Sequence, residues 1–309
     1  MSGRGDGPEG VLVVDKPAGM TSHDVVDRVR RIAGTRRVGH TGTLDPAATG
    51  VLVLCLGRAT RLVTALQAGR KTYAAVARLG VTTSSDDLDG EVLATTSAAA
   101  LDESTVCGAL SAFQGVIEQV PPMVSAIRID GERLHERARR GETVERPARR
   151  VEIDSIVLDR FEPGEAADVA FLVACSAGTY VRSIARDLGE RLGVGGTLAA
   201  LRRVANGPFS EVEAVPLSDL EDDPELLRAR LLRPLDALRR AVDVHEVTDP
   251  AQQRALATGA RPVRLGIGLD EERTTALVAG DVLLAVVGPG QDGPQHLVWA
   301  DPSELGAAP

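Results

Sequence analysis

Residues 39–50, with the sequence GHTGTLDPAATG, constrain this chain more than any other stretch. They form a glycine-punctuated loop with one carboxylate, Asp45, and the unbroken apolar run 51–56 follows directly. Pro46 disfavours the helical region at Asp45 and favours an extended backbone there. An acid on a loop anchored by a buried strand is a candidate nucleophile or base. The alternative is an ordinary turn, in which Asp45 caps a neighbouring backbone group.

Length and composition bound the class of protein. The chain has 309 residues, of which 43% are hydrophobic and 26% charged, as is typical of a globular protein of about two domains. It has no apolar run long enough to span a bilayer, and its opening residues lack the apolar core of a signal peptide. We therefore expect a cytoplasmic protein without membrane association and with a disordered tail at 1–9.

The cysteines, histidines and glycine patterns predict neither a metal site nor a nucleotide cofactor. The three cysteines are widely separated and the five histidines lack metal-ligand spacing. No GxxxxGK[ST] loop occurs. We expect no metal and no cofactor.

The basic residues are clustered, although the net charge is −9. All of them except Lys16 and Lys71 are arginine; one cluster spans 28–37 and a second spans 128–150. Acidic residues concentrate elsewhere, which permits a basic groove on an acidic protein. The alternative is that each cluster is a solvated helix face, with charge partners four residues away.

Apolar periodicity and capping signals favour an α+β fold. We predict strands at 11–14, 51–56, 73–79, 151–159 and 169–175. We predict a helix that is capped by Thr21 or Ser22 and ends at Gly34, a second capped by Asp102, and a third after residues 176–182. The arginine-rich stretch 119–150 indicates an exposed excursion. Beyond about residue 240, short apolar runs at 263–265, 276–278, 282–287 and 297–299 are separated by Gly and Pro turns, which predicts a small β-barrel or sandwich.

Several segments, in the expected order, resemble the TruB family of tRNA pseudouridine synthases. They are 10–22 (GVLVVDKPAGMTS), 36–62 around the GHTGTLDPAATG loop, 71–80 (KTYAAVARLG), 121–151, 175–193 (CSAGTYVRSIARDLGERLG) and 201–203 (LRR). The resemblance implies a pseudouridine synthase domain over 10–240, with a mixed, largely antiparallel central sheet flanked by helices. It further implies an RNA-contacting excursion at about 119–150 and a barrel-like, PUA-type RNA-binding domain over 241–309.

The function that the resemblance implies is isomerisation of the uridine at position 55 in the T loop of tRNA. The N–C glycosidic bond breaks, the uracil rotates while it is held in the site, and the base is rejoined through C5. The implied partner is the T-arm of tRNA. We expect a monomer that acts without a guide RNA, metal or cofactor.

The resemblance places catalysis on Asp45, as nucleophile or base, on Tyr73, which stacks on the base, and on Arg182, which pairs with Asp45. We expect Arg182 to favour the ionised carboxylate. His40 would occupy the stack that the flipped base leaves, Leu201 would touch the target base, and Lys16 would support the loop. The remaining RNA- or substrate-binding residues that it implies are Gly42, Thr43, Arg36, Arg37 and Arg128.

Some questions stay open at this point. Val124 and His135 stand where many family members carry tyrosine, so the detail of the excursion is open. Asp45 can trap C1′ covalently or remove the 2′ proton to give a glycal. Three other functions compete: an RNA-binding protein without catalysis, a synthase that depends on a guide RNA, and a metal-dependent hydrolase that uses His40 and Asp45.

Overall fold

The computed structural model describes residues 7–123, 146–289 and 295–300, and the backbone of 128–129 and 132–133. The strands are β1 (Gly10–Lys16), β2 (Val38–His40), β3 (Thr49–Leu56), β4 (Lys71–Leu79), β5 (Val81–Thr83), β6 (Val92–Thr95), β7 (Gly115–Gln119), β8 (Arg128–Ile129), β9 (Glu132–Arg133), β10 (Arg149–Glu162), β11 (Ala167–Cys175), β12 (Gly196–Asn206), β13 (Phe209–Ser210), β14 (Val215–Pro216), β15 (Asp243–Glu246), β16 (Thr275–Ala279), β17 (Val282–Gly288) and β18 (Gln295–Val298). The α-helices are α1 (Ser22–Ala33), α2 (Val63–Gln67), α3 (Glu103–Ser111), α4 (Val181–Arg191), α5 (Leu217–Asp222), α6 (Pro224–Arg230), α7 (Pro234–Ala241) and α8 (Pro250–Ala257).

One large mixed sheet carries the fold. Its strand order is β14-β1-β3-β12-β4-β11-β10-β7, with β2 paired to β3 and β13 to β12. The β1/β14 and β3/β12 pairs are parallel, and the other pairs are antiparallel. Helices α3 and α4 pack against β4, β10 and β11, and α1 packs against β1 and β3. This confirms the predicted α+β fold, with a mixed, largely antiparallel sheet flanked by helices.

The burial of β3 explains its unbroken apolar sequence. Alternate residues of β3 enter two different cores: Val51, Val53 and Cys55 join one, and Leu52 and Leu54 join another. A strand that is covered on both faces has no polar side to display. The signature loop, as we call residues 39–50, therefore runs into the most deeply buried part of the sheet.

Strand β12 was missed by the sequence analysis. Its segment, GTLAALRRVAN, is rich in alanine, leucine and arginine, which favour helices. In the structure it lies between β3 and β4 and pairs with both, so tertiary pairing overrides local propensity. A second prediction was wrong, because residues 263–265 belong to the 3₁₀ helix Pro262–Leu265 and not to a strand.

The C-terminal strands form an open sheet, and within the described residues no barrel is closed. The order is β15-β16-β17-β18. Ala276 and Trp299 share a buried cluster with Val53 of the main sheet, and Arg58 Nη2 donates to the Trp299 carbonyl at 2.6 Å. The division at 240/241 stays a prediction, and a shared core crosses it. No helix in the described part of the chain is long and apolar enough to cross a membrane.

Gly50 has no room for a side chain. Its φ is +99°, and a Cβ there would lie 2.3 Å from the Arg203 carbonyl oxygen on β12. We expect Gly50→Ala to lower the free energy of unfolding by at least ~2 kcal/mol, because it adds left-handed strain and a backbone clash. The control is Gly108→Ala in α3, where a Cβ meets nothing within 4 Å; it should leave stability unchanged or raise it. Denaturant unfolding compares the two, and equal stabilities would contradict this account.

Candidate active site

Two side chains from outside the signature loop hold it in place. Ser22 Oγ, at the start of α1, accepts from the Leu44 N–H at 2.8 Å and donates to the Leu44 carbonyl at 3.2 Å. Asn206 Nδ2, at the end of β12, donates to Thr41 Oγ1 at 3.0 Å. The loop is thus fixed on both sides of its glycine-rich turn.

Lys16 supports the same loop from the interior. It is fully buried, and its Nζ donates to the carbonyls of Met20, Pro17 and Pro46 at 2.5, 2.9 and 3.2 Å. Burial lowers its pKa to about 8, against the attraction of Asp45. Lys16 therefore acts on the loop and does not lie on a surface open to substrate.

The sequence-predicted catalytic residues meet in one cavity. Asp45, Tyr73, Arg182 and Leu201 all line a space of about 250 Å³. The other lining residues are Gly42, Thr43, Leu44, Gln67, Lys71, residues 177–181 and Arg203. An apolar cavity of about 150 Å³ holds a benzene ring, so this space suits a single nucleobase.

Asp45 forms a two-point ion pair with Arg182. Nε of Arg182 lies 3.0 Å from Oδ2 of Asp45, and Nη2 lies 3.2 Å from Oδ1. The Arg182 side chain is only 4% exposed, whereas that of Asp45 is 39% exposed. The arginine also donates to the Ser85 carbonyl at 3.0 Å and lies 3.4 Å from Asp87. This fork orients the carboxylate toward the cavity. Within the described residues the carboxylate pairs with Arg182 and caps no backbone group.

Burial raises the pKa of Asp45, and this effect outweighs the opposing charge of Arg182. Asp87 contributes a smaller rise by like-charge repulsion. The sequence analysis expected Arg182 to favour the ionised acid. Its effect has that sign, but desolvation of the carboxylate is larger.

The raised pKa of Asp45 predicts where the reaction rate falls on the acidic side of the pH–rate profile. If Asp45 reacts as a carboxylate, kcat/KM should fall as pH drops through a midpoint above the ordinary aspartate value of 3.8. Single-turnover rates across acidic pH, with folding checked by circular dichroism, give this midpoint. A profile that stays flat down to pH values near 3.8 would contradict the assignment.

Tyr73 and Leu201 form cavity walls on neighbouring strands. Tyr73 is buried on β4, and burial raises the pKa of its phenol, while the positive charge of Arg203 works in the opposite direction. Leu201 lies on β12, opposite Ala75 of β4. The two side chains offer an aromatic and an aliphatic surface to a flat ligand.

His40 lies beside the cavity and does not line it. Its Nδ1 accepts a hydrogen bond from the Gly42 N–H at 3.3 Å. Burial lowers its pKa, which favours the neutral ring. In the described residues, no group of three or more His, Cys, Asp or Glu side chains converges as metal ligands would.

The arginines of the cluster at 28–37 do not all behave alike: some pair with carboxylates on a solvated face, and others are exposed and could contact RNA. Arg28 pairs with Glu221 at 2.5 Å and Arg30 with Asp27 at 2.9 Å, as on a solvated face. Arg36 and Arg37 are exposed. Arg128 lies in β8, but its side chain is outside the described residues, as are Val124, His135 and most of the 119–150 excursion.

Sequence reasoning missed three residues at this site. Arg203 and Lys71 line the cavity, and Asp87 contacts Arg182. Arg203 stands in the LRR segment, but its position depends on β12, which was not predicted. Asp87 lies in a polar loop without periodicity, so only the folded structure brings it to Arg182.

Comparison with known proteins gives two adjoining family matches. Residues 30–181 match the model described as TruB family pseudouridylate synthase (N terminal domain). Residues 182–249 match the model described as tRNA pseudouridylate synthase B C-terminal domain.

Similar proteins extend the match over most of the chain. The protein named tRNA pseudouridine synthase B from Corynebacterium efficiens is 50% identical over 81% of this chain and 83% of its own. That of Mycobacterium sp. (strain KMS) is 46% identical over 96% of both. Among solved structures, a chain of a Cbf5-Nop10-Gar1 complex has a TM-score of 0.71 and 28% identity, over 94% of this chain and 84% of that one. A chain of an archaeal box H/ACA sRNP Nop10-Cbf5 complex has a TM-score of 0.70 and 25% identity, over 97% and 89%.

Proposed function

The chain belongs to the TruB family of pseudouridine synthases, and we propose that it converts the uridine at position 55 in the T loop of tRNA to pseudouridine. In this proposal Asp45 is the reacting carboxylate. One observation carries it: the Asp45 side chain opens onto a base-sized cavity while buried Arg182 holds it from behind. Relatives about 50% identical that are named tRNA pseudouridine synthase B support the same substrate class.

Breaking the glycosidic bond of uridine is favoured by a carboxylate next to C1′. As the N1–C1′ bond breaks, its electron pair leaves with the uracil and positive charge builds at C1′. A carboxylate can stabilise that charge or bond to C1′, as in retaining glycosidases. Alternatively, Asp45 removes the 2′ proton to give a glycal. In both routes the base rotates and C5 bonds to C1′; the Asp45–C1′ bond breaks in the covalent route, and C2′ regains its proton from Asp45 in the glycal route. The C5 proton is then lost while N1 gains one.

The cavity supplies what the detached base needs. Tyr73 offers a flat face for stacking, and Leu201 closes the cavity with an apolar contact. Both residues line the same space as Asp45. The hydroxyl of Tyr73 is a candidate to receive the proton that leaves C5.

The target base must leave the folded T loop before Asp45 can reach its sugar, which costs a few kcal/mol. We assign His40, within the signature loop, to the vacated stack, and Arg36, Arg37 and Arg128 to phosphate contacts. Residues 241–309 would add a PUA-type RNA-binding domain. The protein would act in the cytoplasm as a monomer, without a guide RNA or cofactor.

A synthase that depends on a guide RNA is the second candidate. It is favoured by one observation: the solved structures described above are from Cbf5-containing complexes, one of them a box H/ACA sRNP. The two candidates differ in what they need, because only a stand-alone enzyme modifies bare tRNA.

The test uses an unmodified tRNA transcript and the purified protein alone. After carbodiimide treatment and alkaline removal of the adducts on uridine and guanosine, primer extension should stop at a single site in the T loop, one nucleotide 3′ of position 55. A transcript with cytidine at position 55 is the control and should show no stop. No stop in either transcript, despite tRNA binding, would contradict stand-alone activity and favour the guide-dependent candidate.

A further inference from the structure

Strand β12 brings a buried arginine to the centre of the site. Arg203 lies opposite Tyr73 of β4 and opposite Gly50 of β3 in the sheet register. Directly opposed residues on antiparallel strands place their side chains on the same face, about 5 Å apart. Arg203 is only 1% exposed, and it lines the cavity together with Tyr73 and Asp45.

The guanidinium of Arg203 also binds the backbone of the signature loop and of the residue that follows it. Its Nε donates to the Val51 carbonyl at 2.7 Å and its Nη2 to the Gly42 carbonyl at 3.1 Å. Within the described residues no carboxylate forms an ion pair with it. Arg203 faces Tyr73 across the β12/β4 pair, and its positive charge opposes the rise that burial causes in the pKa of the Tyr73 phenol.

A buried cation without a carboxylate partner stabilises negative charge near it. Tyr73 lies directly opposite Arg203 in the sheet and lines the same cavity, and its hydroxyl can become an anion by losing a proton to solvent. Arg202, the neighbour of Arg203 on the same strand, shows the contrast. It is paired with Asp15 and Glu211, on the other side of β12 from the cavity, so its charge is neutralised there.

We propose that Arg203 is a positioning residue that acts through Tyr73, holding the phenol oxygen where it receives the C5 proton of the rejoined base. In that step the C5–H bond breaks, its electron pair forms the C5–C6 double bond, and the π pair of the C6–N1 double bond in the rejoined base moves to N1. The proton passes to the Tyr73 oxygen in its anionic form, which Arg203 stabilises, and N1 takes a proton from solvent. This inference rests on the proposed function and assigns one of its steps.

A double-mutant cycle tests this coupling. Single-turnover tritium release from C5-labelled tRNA should fall roughly 10²-fold in Arg203→Lys, the size of a typical general-base contribution. In a Tyr73→Phe background, Arg203→Lys should lower the rate only about twofold further, because the phenol through which Arg203 acts is gone. Arg202→Lys is the matched control and should release tritium at the native rate. Losses that multiply in full would overturn the proposal.

A second measurement needs no catalysis. The chain has 2 tyrosines, Tyr73 and Tyr180, so protein labelled with 3-fluorotyrosine gives two ¹⁹F resonances, and Tyr180→Phe assigns them. The Tyr73 resonance should titrate at higher pH in Arg203→Lys than in Arg202→Lys. If Arg203→Lys does not fold, Arg203→Gln takes its place in the same comparison. An unchanged titration would overturn the inference. Absence of tritium release from the native protein would instead count against the proposed function.

Discussion

Asp45→Asn is expected to lower the single-turnover rate of pseudouridine formation by at least about 10³-fold, because preorganised charge at a reacting centre contributes this much or more. The amide has nearly the same shape but no charge to stabilise C1′, and it does not act as a nucleophile or base there. Affinity for tRNA should stay within about threefold, since phosphate contacts supply most of it. Tritium release and filter binding measure the two quantities.

The matched control is Asp168→Asn. Asp168 accepts two hydrogen bonds from Arg78, both at 2.8 Å, in the same fork geometry but away from the Asp45 cavity. This variant should keep full activity. If Asp45→Asn turned over at a tenth of the native rate or faster, Asp45 would not be the reacting group.

Arg182→Met is expected to affect both activity and stability. It leaves the Asp45 and Asp87 carboxylates and the Ser85 carbonyl without their buried donor, which should lower the free energy of unfolding by about 2–3 kcal/mol. The rate should fall at least about 10²-fold, because the carboxylate loses its orientation. The pKa of Asp45 should rise further, since the charge that lowers it is removed, so the acidic midpoint of the pH–rate profile moves to higher pH.

Arg186→Met provides the comparison one helical turn along α4. Arg186 pairs with Asp86 and Asp187 and does not line the cavity. The Arg186→Met variant should have a lower free energy of unfolding than the native protein. The acidic midpoint of its pH–rate profile should not change. A midpoint that stays fixed in Arg182→Met would contradict the role given to Arg182.

Local signals were sufficient to place the elements that surround the site. The Thr21 side chain caps α1 in a reciprocal capping box with Asp24, and Gly34 ends that helix with φ of +63°. Both residues were identified as helix signals because capping depends on near neighbours. The motif segments likewise placed Asp45, Tyr73, Arg182 and Leu201 together, and the structure has all four in one cavity.

What the sequence did not reveal depends on contacts between distant segments. Strand β12 has a helix-favouring composition and becomes a strand only because β3 and β4 pair with it on either side. The role of Arg203 could not be predicted without that strand. The sign of the pKa shift of Asp45 also needed the structure, because it results from competition between burial and the charge of Arg182.

We propose that this chain alone, through Asp45, isomerises a uridine of tRNA. The most direct measurement is tritium release from tRNA labelled at uridine C5, with the purified native protein and Asp45→Asn side by side and no metal, cofactor or guide RNA added. Release that approaches one tritium per tRNA with the native protein, and is lost in Asp45→Asn, is the predicted result. Tight tRNA binding without release by the native protein would contradict it.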